Sequence, residues 1–305
     1  MAEKAKKKKL SKNVKRIIGG VVVLLIVIIG LIILFGSPSA NTVFKDMNDT
    51  MLKTKSVTVN ETYKGGSGTD VIDLSATTYM NMMSSTQLLA KGNFTLDLTS
   101  SGTPMTVDAD FIATGGDNYI KFSKLSSSDA TLSDSFSMVE SKIKGTWIKA
   151  KDGDSFASFA KFPTESLSSV LPTPFANLTD AQRKDVLSIL QDKSTYTIEE
   201  SSKVDVGGVS AYKYAITYNK DQYDKVAKAI AGYVSYFKSS SSDNSQIKSL
   251  TVWVNIKTKQ IIKIEFTGTT DQGDITGTIA FSGYNQNIAV EKPSDYSIES
   301  ELLSN

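Results

Sequence analysis

The chain has 305 residues, with 34 Lys/Arg against 32 Asp/Glu and neither Cys nor His. Without Cys there are no disulfides, thiolate metal sites, cysteine nucleophiles or lipidated N-terminal Cys; without His there are no histidine triads and none of the usual zinc or non-haem iron sites. Residues 1–16 carry eight Lys/Arg and one Glu, which leaves 26 basic against 31 acidic groups in the rest, a net −5 that argues against nucleic acid as a partner.

Residues 17–35, IIGGVVVLLIVIIGLIILF, are nineteen residues without a charge. At about 1.5 Å rise per residue they span roughly 28 Å, close to the hydrocarbon thickness of a bilayer. Residues 17–36 are therefore expected to form one N-terminal transmembrane helix, an uncleaved signal-anchor in the cell membrane. The basic tail, residues 1–16, stays cytoplasmic by the positive-inside rule, and residues 41–305 form an extracytoplasmic domain. The lipid bilayer is thus the first expected partner. A cleaved signal peptide is the alternative. Its apolar core would be about 7–15 residues long, and Pro38 would stand third before a cut after Ala40.

Val43, Phe44, Met47, Met51 and Leu52 recur at helical spacing and predict a short amphipathic helix from near Asn41 to Lys55. Strand patterns follow. Val57, Val59 and Tyr63 alternate with polar residues, as do Phe94, Leu96 and Leu98, and then Val107, Ala109 and Phe111. Gly65 to Gly68, Ser100 to Gly102 and Gly115 to Asn118 read as turns. Leu132, Phe136, Val139 and Ile143 predict a helix ending near Gly145, and Thr146 to Ile148 a short strand. Thr179 or Asp180 caps a helix carrying Val186, Leu187 and Leu190.

In the last third, Tyr212, Tyr214, Ile216 and Tyr218 share one strand face. Asp221 to Lys238 reads as a helix, followed by a Ser-rich loop. Three alternating strands close the chain, carrying Leu250, Val252, Val254 and Ile256; Ile262, Ile264 and Phe266; and Ile275, Ile279 and Phe281. The fold class is α+β, a curved antiparallel sheet with helices packed on one face.

Candidate chemistry is sparse. Glu199-Glu200 and Asp152/Asp154 read as solvated charge, and the loop at Lys151 to Asp154 lacks the terminal Glu of a calcium hand, with Phe162 in that place. Ser123-Lys124 lies in a strand pattern, so the two side chains point to opposite faces. Sequons occur at Asn48, Asn60, Asn93 and Asn177. No catalytic residue, metal site or cofactor is expected, and the chain reads as a non-enzyme. Phe94, Tyr119, Phe122, Trp147, Val252, Val254 and Ile264 are the candidates to line a cavity for an apolar ligand. Ordinary packing between sheet and helices is the other reading of the same seven.

Val206-Gly207 with Tyr212 and Tyr214, the hairpin from Trp253 to Thr258, and the closing set Phe281, Tyr284, Asn285 and Pro293 form a further pattern. It resembles the lipoprotein-carrier superfamily, which includes LolA-like carriers and mycobacterial LprG/LppX-type lipoproteins. The resemblance covers Asn41 to Tyr296. It implies an open half-barrel of antiparallel strands lidded by helices, an apolar cavity for acyl chains, and a place in the bacterial cell envelope. Capture of a lipid at the membrane's outer face fits a chain with an anchor and no Cys. An envelope interaction or sensory module with the same fold, binding a membrane protein instead of lipid, is the alternative.

Overall fold

A computed structural model describes residues 38–84, 86–129, 133, 137, 140–150, 171, 174–192, 195–235, 246–270, 273–298 and 302. The expected transmembrane segment 17–36 and its basic tail lie outside these residues, as do Asp152, Asp154 and the Ser-rich loop 239–245. Among the described residues no helix is long and apolar enough to cross a membrane. The described elements belong to one compact unit, Ala40–Asn305.

Helix α1 (Ala40–Leu52) buries the predicted stripe Val43, Phe44, Met47, Met51 and Leu52. Its start is tied down by the Tyr214 hydroxyl, which donates to the Ala40 carbonyl at 2.6 Å. Its last carbonyls, Met51 and Leu52, accept from the Ala176 and Leu178 amides. Helix α2 (Asp180–Leu190) opens with a capping box in which Thr179 and Gln182 satisfy each other's backbone amides. Helix α3 (Lys220–Ala231) is capped by Asn219. It stops at Gly232, well short of the predicted Lys238. Glycine is a poor helix residue, and the turn that follows buries Val234 against Val186, Leu190, Val226 and Ile230.

The strands are β1 (Ser56–Ser67), β2 (Asp70–Asn81), β3 (Leu89–Ser100), β4 (Thr103–Thr114), β5 (Asn118–Ser127), β6 (Ile148–Ala150), β7 (Tyr196–Val206), β8 (Val209–Tyr218), β9 (Gln246–Asn255), β10 (Ile261–Thr270), β11 (Gly273–Ser282) and β12 (Ser297–Ile298). They form one open, curved, twelve-stranded sheet in the order β12-β6-β5-β4-β3-β2-β1-β11-β10-β9-β8-β7. Among the described strands only the β12–β6 pair is parallel. Two up-and-down meanders, β1 to β6 and β7 to β11, are joined side by side through β1 and β11.

Two details differ from the sequence pattern. Gly65 to Ser67 stay in the ladder opposite Ile72 to Asp70 and do not form the turn. On β10 a register shift between Ile261 and Lys263 leaves Ile262 without an opposite residue. That bulge puts Ile261 on the buried face in place of Ile262, which is only half-buried.

Candidate functional site

One face of the sheet is buried, and register alignment traces a single row of side chains across it. The row runs Phe122, Ala109, Phe94, Ala76, Glu61, Ile279, Ile264, Val252, Tyr214, one residue from each of β5, β4, β3, β2, β1, β11, β10, β9 and β8. The rows on either side are also mainly apolar. One runs Leu125, Val107, Leu96, Leu74, Tyr63, Gly277, Phe266, Leu250, Ile216, and the other Ile120, Phe111, Gly92, Thr78, Val59, Phe281.

Four of the seven predicted cavity residues, Phe94, Phe122, Val252 and Ile264, stand in that central row. Five strand spacings separate Phe94 from Val252, about 24 Å at ~4.8 Å per strand. They belong to two apolar clusters. Phe94 and Phe122 pack with Leu74, Phe111, Ile143 and Ile148. Val252, Val254 and Ile264 pack with Val43, Phe44 and Met47 of α1. Val254 is fully buried one row along, opposite Ile261.

Tyr119 and Trp147 are on the other face. Tyr119 pairs with Ile112, one step out of phase with the inward Ile120. It is buried there by the Tyr296 ring at 5.2 Å, and its hydroxyl donates to Asp117. Burial pushes the Tyr119 phenol up, while the Lys149 ammonium holds Asp117 below the usual carboxylate range. Trp147 precedes the inward Ile148 and lies under the Lys121 ammonium, 4.8 Å from its ring. Trp253 is the second tryptophan of that face. Lys213 and Lys263 sit 5.5 Å and 4.2 Å from its ring, one on each neighbouring strand. Their stems cover Trp253, which is 7% exposed.

A cavity of about 340 Å³ opens elsewhere, at the junction of α1, the end of α2 and the start of β7. Its walls are Asn41, Phe44, Lys45, Leu190, Gln191, Asp192, Tyr196, Thr197 and Ile198, and none of the seven predicted residues is among them. Phe44 and Tyr196 meet edge-to-face at 4.8 Å in its floor, and the Asn48 amide donates to the Tyr196 hydroxyl at 2.9 Å. Burial raises the Tyr196 phenol. The rim carries the exposed Lys45. The volume is that of a small-molecule site.

Glu199 and Glu200 are exposed on β7. Among the described residues no three Asp or Glu side chains converge as metal ligands would. Asn48 is buried, so that sequon is closed to a glycan, whereas Asn60 and Asn93 are exposed. Ser123 is the extra residue of a bulge on β5, its hydroxyl donating to the Asp108 carbonyl.

Two inward polar residues fall outside the predicted set. Glu61 is 6% exposed at the centre of the central row, and Thr78 is 1% exposed beside it. The signal for Glu61 is in the sequence: Val57, Val59 and Tyr63 alternate, and Glu61 takes the position between the last two.

No protein-family model matches the chain. No curated protein matches it. Among solved structures the chain is similar to LprF from Mycobacterium bovis, with 16% identity and a TM-score of 0.45 over 85% of this chain and 99% of that one. It is similar to a DUF1329 family protein from Desulfovibrio piger, with 11% identity and a TM-score of 0.25 over 82% and 94%. A LolA superfamily protein from Nitrosomonas europaea matches with 9% identity and a TM-score of 0.24 over 83% and 95%. The superfamily that the sequence resembles is therefore represented among its structural neighbours. At these identities and scores the likeness transfers no activity.

Proposed function

We propose that the chain is a non-enzymatic, membrane-anchored protein that binds a lipid or another hydrophobic ligand at the outer face of a bacterial membrane. The observation that carries the reading is the extent of the buried face. Three rows of mainly apolar side chains cross most of the sheet, and α1 packs against the cluster on the β8–β11 side through Val43, Phe44, Met47 and Met51. An apolar face this broad, with a cavity of about 340 Å³ beside Phe44 of the same cluster, is the kind of surface against which a hydrophobic ligand packs. The anchor rests on residues 17–36 and the orientation on the basic tail.

Solvent extraction and mass spectrometry of the purified full chain test the reading. A bound acyl species is expected. A chain that carries none, and takes none up from vesicles, overturns the proposal and favours the interaction module. One observation speaks for that module: β7, eleven residues long, has no strand on its outer side among the described residues.

A further inference from the structure

The edge strand β7 and the cavity of about 340 Å³ share two residues, Tyr196 and Ile198. β7 pairs with β8 on one side, and among the described residues no strand lies on its other side. In an antiparallel pair, successive residues turn their backbone groups alternately toward the partner strand and away from it. The Asn219 amide donates to the Thr195 carbonyl at 2.9 Å, so Thr195 turns toward β8. Tyr196 and Ile198, opposite Tyr218 and Ile216, lie one and three places further on. Their amides and carbonyls therefore point out of the edge of the sheet, and those of Thr197 between them point back to β8.

The side chains of the same two residues pack on the cluster under α1 and, with Phe44 and Leu190, form the apolar part of the cavity. A residue of an added strand that exchanges hydrogen bonds with either of them stands directly opposite it, on the same face of the sheet. Its side chain then falls beside the cavity. The floor is already a pair of rings meeting edge to face at 4.8 Å, and a third ring extends such an arrangement. The sequence limits what can be added. A bulge at Glu199 follows Ile198, and bulges and charges are the devices that close an edge to long strands. Glu199 and Glu200 stand exposed just past the cavity, the first accepting from the Thr217 hydroxyl. A basic residue next to the anchor complements this pair, and an acidic one is repelled.

We infer that the start of β7 docks a short, extended polypeptide segment of another protein. The segment adds as a strand along Tyr196 to Ile198, puts one aromatic side chain into the cavity, and carries Lys or Arg within two places of it. Main-chain hydrogen bonds hold such a segment, and the pocket and the acidic pair select it. The inference goes beyond the lipid-binding reading and does not depend on it.

The test selects from a phage-displayed library of random nine-residue peptides against the full chain in phosphatidylcholine nanodiscs, and titrates the enriched peptides by fluorescence anisotropy. Enriched sequences are expected to hold an aromatic residue with Lys or Arg within two places. Ile198→Pro removes an outward amide, a change an edge strand tolerates, and should weaken binding about tenfold or more. Asn41→Trp changes an exposed residue of the cavity wall, fills the space, and should do the same. Glu200→Lys should weaken binding several-fold. Methylation of the peptide's own amides gives a readout that no folding defect touches: one of the two alternating sets should abolish binding and the other should be tolerated. Selection without the aromatic and basic pattern, or peptides indifferent to Ile198→Pro, Asn41→Trp and both methylation sets, overturns the inference. So does a parent chain that binds no peptide and is dimeric where Ile198→Pro is monomeric, which gives the edge to a second copy. Bound acyl species are read separately by solvent extraction, so either failure leaves the lipid-binding reading standing.

Discussion

Phe266 stands directly opposite Gly277, and its ring fills the place a Cβ on Gly277 would take, with Cζ only 2.4 Å from that point. Tyr63 lies on the other side of the same glycine, its ring 6.5 Å from that of Phe266. The first meander repeats the device. Phe111 stands opposite Gly92, and a Cβ there would come within 2.9 Å of the ring and 1.9 Å of the Thr77 carbonyl oxygen. In each case an aromatic ring lies over a glycine and covers backbone that no side chain shields.

Gly277→Ala should therefore force the Phe266 ring out of its place. The cost expected for such overpacking is about 1–3 kcal/mol. Phe266→Leu should recover part of it in the double variant, because the smaller side chain vacates the contested space. Denaturant titrations of the two single variants and the double variant measure the coupling. Additive effects would mean the two residues do not meet as described.

Val254→Asp puts a charge into the fully buried cluster under α1. It should destabilise the domain by several kcal/mol and abolish the cooperative melt. An intact melt with lower lipid uptake would instead make Val254 a wall of the ligand site.

Thr78→Val should raise the stability of lipid-free protein by about 1 kcal/mol, because it removes a buried hydroxyl that lacks a partner. Thermal melts after delipidation check it. A clear loss of stability would show that the hydroxyl is bonded.

Asp49 links α1 to α2, pairing with Lys53 at 2.8 Å and with Arg183 at 3.0 Å. Burial pushes its carboxyl up, but Lys53 and Arg183 hold it down by more, so its pKa ends below the ordinary value. A lowered carboxyl pKa adds stability above the unfolded pKa, and that stability is lost as pH falls through the folded pKa. Asp49→Asn should cost about 0.5–1 kcal/mol at neutral pH and progressively less as the pH falls below the ordinary carboxylate range. Urea titrations of both proteins at neutral pH and at a series of acid pH values measure the trend.

Protease added to intact cells should digest the chain from about residue 41 onward and leave residues 1–36 behind. N-terminal sequencing of the mature protein should begin at residue 1 or 2. A start at Ala40 or Asn41 would mean the apolar segment is removed and the protein released.

Strands β8 to β11 are legible in the sequence because one face of each is wet and the other dry, which leaves a clean period of two. Strand β2 is not, because its stretch from Asp70 to Thr77 mixes charged, polar and apolar residues; neither is β7, which is exposed along most of its length. The end of α3 was visible as Gly232, but the apolar stripe beyond it outweighs one glycine in a pattern reading. Alternation shows which residues share a face of one strand, and not which residues of distant strands stand opposite each other. Phe94, Phe122, Val252 and Ile264 could therefore be chosen singly, while the row that unites them depends on nine strands in register. The face of Tyr119 is hidden for a similar reason: a large ring in a strand pattern, it is buried on the opposite face against Tyr296.

The seam between β1 and β11 also sets a clock. During synthesis β1 leaves the ribosome roughly 200 residues before its partner, and at about 5–20 residues per second that is a wait of some 10–40 s. For that interval the first meander has an unpaired edge, with Glu61 and Thr78 beside it and half of the apolar face still missing. Translation that halts before β11 leaves this edge open to other chains. Stop codons placed just before Gly273 should give products that aggregate, whereas stops after Ser282 should not.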